Sequence, residues 1–128
     1  MCPSGALSRR SDGIVAVEPE KCIGCKYCYQ ACPYDVPRFA DDGDDRAIRK
    51  CTMCADRVDG GEEPACVGAC PAGALQFGDW EDMVSAGNAA VQAASGNAVL
   101  YGETEAGGLG VLYARPASAK KCGLPKVR

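Results

Sequence analysis

The sequence predicts an α+β fold in two parts: cysteine-bearing units of short strands, loops and short helices, followed by a C-terminal helix and β-hairpin. Three observations predict it. Nine of the ten cysteines, at positions 2, 22, 25, 28, 32, 51, 54, 66 and 70, crowd into the first part, and Cys122 stands apart. The hexapeptide CPSGAL at 2–7 returns as CPAGAL at 70–75, which marks an internal repeat. After Gly78 the clustered cysteines cease, and a helical stretch and two alternating apolar stretches follow. The boundary therefore falls between 1–78 and 79–128.

Element by element, SRRSDG at 8–13 reads as a turn, and Ile14 to Val17 as a short strand ending at Pro19. In CIGCKYCYQACP the first half is loop, freed by Gly24. The second half, about Lys26 to Ala31, is helical until Pro33 stops it. YDVPRF is a short extended piece whose proline suits an edge. ADDGDD at 40–45 is a solvated loop tip, lacking the spacing of a calcium loop. AIRKC leads into Cys51, DRVDGGEEP is a loop, ACVGACP is a short helix stopped by Pro71, and ALQF at 74–77 is a second extended piece. Asp79 N-caps a helix over about Trp80 to Ala94, with Met83, Ala90, Val91 and Ala94 as an apolar stripe; Gly96 and Asn97 end it. AVLYG and GVLYA form a hairpin around a glycine-rich turn. The basic tail AKKCGLPKVR lies over the surface or a partner.

Composition narrows the chemistry. Aromatic residues make up 6% of the 128 residues, beside sixteen glycines and eight prolines, so side chains able to fill a core are scarce. Small domains in that position use metals or disulfides. Histidine is absent, which excludes mixed cysteine–histidine zinc sites, histidine-ligated haem and a histidine base. The net charge of −3 comes from mixed acidic and basic residues, without the basic face that nucleic acid requires. No stretch reaches the ~18 apolar residues of a membrane span. A signal peptide is not visible at the N-terminus.

The cysteine spacing carries the function. Cys22, Cys25, Cys28, Cys32 and Pro33 form C-x2-C-x2-C-x3-C-P, the bacterial ferredoxin run for a [4Fe–4S] cluster. Three thiolates at i, i+3 and i+6 can wrap one loop around one face of a cubane, while the fourth lies past a helical turn and ligates the other cluster of a pair. Cys51, Cys54, Cys66 and Cys70, with Pro71, form C-x2-C-x11-C-x3-C-P, a variant with a stretched middle. Taken alone, that group also suits zinc. A four-cysteine zinc-binding interaction module is thus the alternative reading, although zinc has no use for a crossed fourth ligand. Tyr27, Tyr29 and Tyr34 read as cover that keeps water from the cysteine loop, Trp80 as a packing residue, and Lys21, Lys26 and Lys50 as charges flanking the thiolates.

CIGCKYCYQACPYDVPRF and KCTMCADRVDGGEEPACVGACPAGALQFGD resemble the iron–sulfur electron-transfer subunits of molybdopterin oxidoreductases. That family includes formate dehydrogenase beta subunits, the iron–sulfur subunits of DMSO reductases and related hydrogenase subunits. The stretch NAVLYGETEAGGLGVLYARPASAKKCGLPKV resembles the C-terminal part of the formate dehydrogenase and hydrogenase branch. The resemblance implies ferredoxin-like [4Fe–4S] cluster-binding units. It also implies a molybdopterin-containing catalytic subunit as partner and, further along, a haem-bearing membrane subunit. The chain would then be an electron-transfer subunit at the cytoplasmic or periplasmic face of a membrane, and not an enzyme by itself.

The family carries four cysteine motifs. This sequence matches the third and fourth, and CPSGAL resembles the end of the second, so the chain is expected to begin inside a longer protein. The family's crossed pairing gives Cys22, Cys25 and Cys28 their fourth ligand in Cys2, completing one cluster. By the same pairing Cys32 serves the second motif's cluster, and Cys70 serves the first motif's. Cys51, Cys54 and Cys66 need a cysteine from the first motif. Cys122 is expected to be a non-ligand that packs as a small hydrophobe.

Overall fold

The computed structural model describes residues 2–39, 47–94, 96–117 and 123–127. The ADDGDD loop tip and Cys122 lie outside the described residues. The chain forms two compact units, Met1–Ala65 and Cys66–Arg128.

In the first unit, β1 (Leu7–Arg9) pairs antiparallel with β2 (Val15–Val17), in the register Leu7↔Val17, Ser8↔Ala16, Arg9↔Val15. Ser8 and Arg9 were expected in the turn and belong to the strand. The reversal needs only Arg10–Gly13, where the Gly13 N–H donates to the Arg10 carbonyl at 3.0 Å and the Asp12 carboxylate accepts from the Ile14 N–H at 3.1 Å. Asp12 thus does within the turn what aspartate does in many turns, holding a backbone N–H two residues on. A 3-10 turn at Pro19–Lys21 leads from β2 into Cys22.

Two short helices follow, α1 (Tyr27–Ala31) and α2 (Ala55–Asp59). Between them an isolated antiparallel bridge pairs Arg38 with Arg49. Helix α2 corrects the loop expected for DRVDGGEEP. Its end is closed by Arg57, whose guanidinium donates to the Glu63 carbonyl at 2.9 Å and pairs with Glu62 at 2.9 Å. Gly60 and Gly61, the latter at φ +76°, turn the chain out of the helix. Ala6, Ile14 and Ile48 are buried in this unit.

Helix α3 (Ala65–Gly68), at the place expected, starts on the last residue of the first unit and opens the second. Residues 71–79 then run without strand pairing, so the extended piece expected at 74–77 joins no described sheet. The Ala74 and Leu75 N–H groups turn instead toward the Cys70 sulfur. Helix α4 (Trp80–Ala93) starts after Asp79 as expected; Asp79 is extended and makes no side-chain cap bond. Glu81 and Asp82 place negative charge on the helix's positive end. β3 (Ala98–Tyr101) and β4 (Tyr113–Pro116) pair antiparallel, as the alternation predicted.

Helix α4 packs on this hairpin through a glycine. A Cβ built on Gly87 would stand 2.7 Å from Leu100 Cδ1, so the small residue sets the approach of helix to sheet. Tyr101 is buried; its ring meets Tyr113 edge-on, and its hydroxyl donates to the Pro125 carbonyl. Trp80, expected to pack, keeps 44% of its surface. Among the described residues no helix is long and apolar enough to cross a membrane.

Candidate iron–sulfur centre

Each Cys-Pro pair begins the same turn. The N–H three residues on donates to the cysteine carbonyl: Gly5 to Cys2 at 3.3 Å, Asp35 to Cys32 at 3.2 Å and Gly73 to Cys70 at 3.1 Å. That third residue is left-handed in all three, at φ +71°, +55° and +59°. Glycine takes this conformation freely, and aspartate is among the few side chains that tolerate it. Cys-Pro-x-Gly or Cys-Pro-x-Asp is therefore one structural unit used three times.

In the first and third copies the turn aims backbone N–H groups at its own sulfur. The Cys2 thiol is lowered to about 7, first by the Ser4 hydroxyl at 3.4 Å, then by the N–H groups of Leu7, Ser4 and Ala6. The Cys70 thiol is lowered by the N–H groups of Leu75, Ala74, Ala72 and Gly73. Hydrogen bonds to a thiolate favour the charged form, and the thiolate is the form that binds metal.

The C-x2-C loops share a second device. Gly24 and Met53 each stand two residues after the first cysteine of their loop, and both are left-handed, at φ +68° and +54°. In the second loop this turns the Met53 N–H onto the Cys51 sulfur at 3.4 Å. Lys26 and Cys54, left-handed again, then launch α1 and α2. Cys28 rides in α1. Burial pushes its thiol up, and the charges of Cys25 and Cys22 push in the same direction.

The β1–β2 hairpin brings the segments that carry Cys2 and Cys22 to one end of a ribbon, although no three of the described Cys, Asp or Glu side chains converge as a metal-holding group. Leu7 faces Val17, with Cys2 five residues before the one and Cys22 five residues after the other. The ladder goes on beyond the strands, since the Glu18 N–H donates to the Ala6 carbonyl at 2.8 Å. An antiparallel pair sends both flanks out at the same end, so Cys2 and Cys22 leave the ribbon together. None of the nine described cysteines is in a disulfide.

The flanking lysines divide. Lys21 pairs with Glu18 at 2.7 Å, and Lys26 lies over the Phe39 ring at 5.9 Å. Lys50 turns inward, donating to the Val15 carbonyl and, at 2.9 Å, to the Cys51 carbonyl; burial lowers its pKa. Tyr27 and Tyr29 are exposed, and Arg38 stacks over the Tyr29 ring at 5.7 Å. Sequence reasoning missed the Arg10 guanidinium, which clamps Asp59 at the end of α2 to the hairpin turn. Partners 49 residues apart leave no local signal.

The donor set fits an iron–sulfur cluster: all-thiol ligands without histidine, in loops whose backbone N–H groups face sulfur. Comparison with known proteins agrees. The family model described as a 4Fe-4S dicluster domain matches residues 1–80, which hold all nine clustered cysteines. The formate dehydrogenase-O iron-sulfur subunit of Escherichia coli (strain K12) is 43% identical over 117 residues, covering 88% of this chain and 38% of that protein. The formate dehydrogenase iron-sulfur subunit of Haemophilus influenzae is 41% identical over 133 residues, covering 98% and 42%. The anaerobic dimethyl sulfoxide reductase of Haemophilus influenzae has a component that is 45% identical over 83 residues, covering 65% and 40%. The chain thus spans about two fifths of the length of these curated relatives.

Proposed function

The protein belongs to the 4Fe-4S dicluster domain family, and from that premise we propose that it is an electron-transfer component of an oxidoreductase. It relays electrons between a molybdopterin catalytic subunit of formate dehydrogenase type and a membrane or soluble acceptor, such as a haem-bearing membrane subunit. It is not the catalyst itself. A [4Fe–4S] cluster accepts and donates electrons at a potential set by its charge, its exposure and the hydrogen bonds to its sulfurs.

In this reading Cys22, Cys25 and Cys28 hold one cluster with Cys2 as the fourth ligand. The observation that carries it is the hairpin register, which pairs Leu7 with Val17 and leaves Cys2 and Cys22 each five residues along the chain from that pair, at the same ribbon end. Cys32 and Cys70 serve other clusters, and Cys51, Cys54 and Cys66 contribute three thiolates to a further one. The folding unit is ferredoxin-like over 1–78, and 79–128 is a helix and hairpin extension. Relatives that are iron–sulfur subunits weigh against the zinc module.

The test is iron and acid-labile sulfide per chain, with the visible spectrum, on protein purified without oxygen. About four of each supports one complete cube. Zinc without sulfide overturns the electron-transfer reading.

A further inference from the structure

We propose that Ser4 sets the reduction potential of the cluster that Cys2 helps to hold, by donating its hydroxyl hydrogen to the Cys2 sulfur. The inference rests on the reading above and goes beyond it by naming a residue that is not a ligand.

The Ser4 Oγ lies 3.4 Å from the Cys2 Sγ, and both residues are half-buried. In the free thiol either atom can donate. Once the sulfur binds iron it carries no proton, and the hydroxyl alone can donate. The internal repeat supplies the control. The three Cys-Pro turns share their backbone, yet the position two after the cysteine is Ser4 in the first, Tyr34 in the second and Ala72 in the third. Alanine has no hydroxyl, and tyrosine carries its own at the far end of a ring.

Around Cys70 the hydrogen bonds come from backbone N–H groups. Cys2 has the backbone donors Leu7, Ser4 and Ala6, and the hydroxyl in addition. A hydrogen bond to a ligand sulfur stabilises the more negative, reduced cluster over the oxidised one, so it raises the potential. One added donor makes the Cys2 cluster easier to reduce than the same turn would with alanine.

The experiment is a redox titration followed by EPR, on the full chain loaded with iron and sulfide without oxygen. Iron and sulfide are assayed in every sample. Ser4→Ala is expected to keep its iron and shift the midpoint downward. At the unsubstituted midpoint its reduced-to-oxidised ratio should fall about threefold or more, which is about 28 mV for a one-electron couple. Ser4→Thr, which keeps a hydroxyl, should restore most of the shift. An unchanged midpoint in a fully loaded Ser4→Ala chain overturns the inference and leaves the electron-transfer reading standing. Equal shifts in the alanine and threonine variants overturn it, because the hydroxyl is then not the cause. Loss of iron from Ser4→Ala also overturns it and makes Ser4 a structural residue of the turn. An unsubstituted chain that takes up no iron and sulfide overturns the electron-transfer reading itself, and the inference with it.

Discussion

A sulfur that must stay deprotonated is best served by N–H groups already aimed at it. The Cys-Pro turns meet that need locally, with backbone N–H groups and, at Cys2, the Ser4 hydroxyl, since every donor at Cys2 and Cys70 lies within five residues of its sulfur. Crossed pairing makes a sharp prediction about single cysteines. Cys2→Ser removes the fourth thiolate of the Cys22, Cys25 and Cys28 loop, so iron and sulfide per chain should fall by more than about half, since a cube needs four ligands. Cys32→Ser should leave that cluster's content and visible absorbance in place, because Cys32 follows the same loop but serves another cube. Equal losses in the two variants would refute the crossed assignment. The spacing singled out Cys22, Cys25, Cys28 and Cys32 as candidate ligands. The hydrogen bonds to the Cys2, Cys51 and Cys70 sulfurs were not legible, because they depend on φ values that a sequence signals only through glycine. Gly5, Gly24 and Gly73 gave that signal; Asp35, Met53 and Cys54 hold the same conformation without it.

At the scale of elements, two glycines separate the cost of backbone conformation from the cost of contact. Gly5 is left-handed, and a Cβ there would meet nothing within 4 Å. Gly5→Ala should therefore cost only the left-handed penalty, about 1–2 kcal/mol. Gly102 is at φ +108°, and a Cβ there would lie 2.5 Å from the Val111 carbonyl oxygen. Its N–H also donates to the Glu105 carboxylate at 2.7 Å, and its carbonyl accepts from the Leu109 N–H at 2.8 Å. Gly102→Ala must displace backbone inside this turn, and should cost about 3 kcal/mol or more, through strain and overpacking together. Denaturant unfolding of the two variants should rank them in that order; equal costs would mean the β3–β4 turn relaxes freely. The hairpin and α4 were legible because alternation and helix periodicity run long enough there to speak for themselves. Helix α2 was not, since DRVDGGEEP looks like loop until Arg57 closes it with a partner that composition does not reveal. The packing of Gly87 on Leu100 was equally hidden, because a search for an apolar stripe passes over glycine.

The molecule as a whole is short of core. Among the described residues of the first unit the buried hydrophobic side chains are Ala6, Ile14 and Ile48. Burying an isoleucine contributes about 1.5–3 kcal/mol, whereas ordering each residue of backbone costs about 1–2 kcal/mol. Three such side chains cannot order the loops that carry the cysteines. The Arg10–Asp59 clamp adds a tie between hairpin and α2, but its carboxylate is 57% exposed and so contributes little. Arg10 holds the Asp59 carboxyl below its ordinary range, through hydrogen bonding first. That small contribution is present above the unfolded carboxylate pKa of about 4, and is lost as the pH falls through the lower folded value. Arg10→Ala should remove this acid-side dependence without touching iron content. The larger missing contribution is the metal. Thiolates bind a cluster only when the loops are in place, so binding energy becomes folding energy. Stripping iron from the loaded chain with a chelator under reducing conditions should abolish the cooperative unfolding of the first unit. The α4–hairpin unit should keep its far-UV signal, because Tyr101, Tyr113 and the Leu100–Gly87 contact hold it without any cysteine. A metal-free chain whose first unit still unfolds cooperatively would show that hairpin, turns and clamp suffice, and that the cluster is a passenger in a fold formed without it.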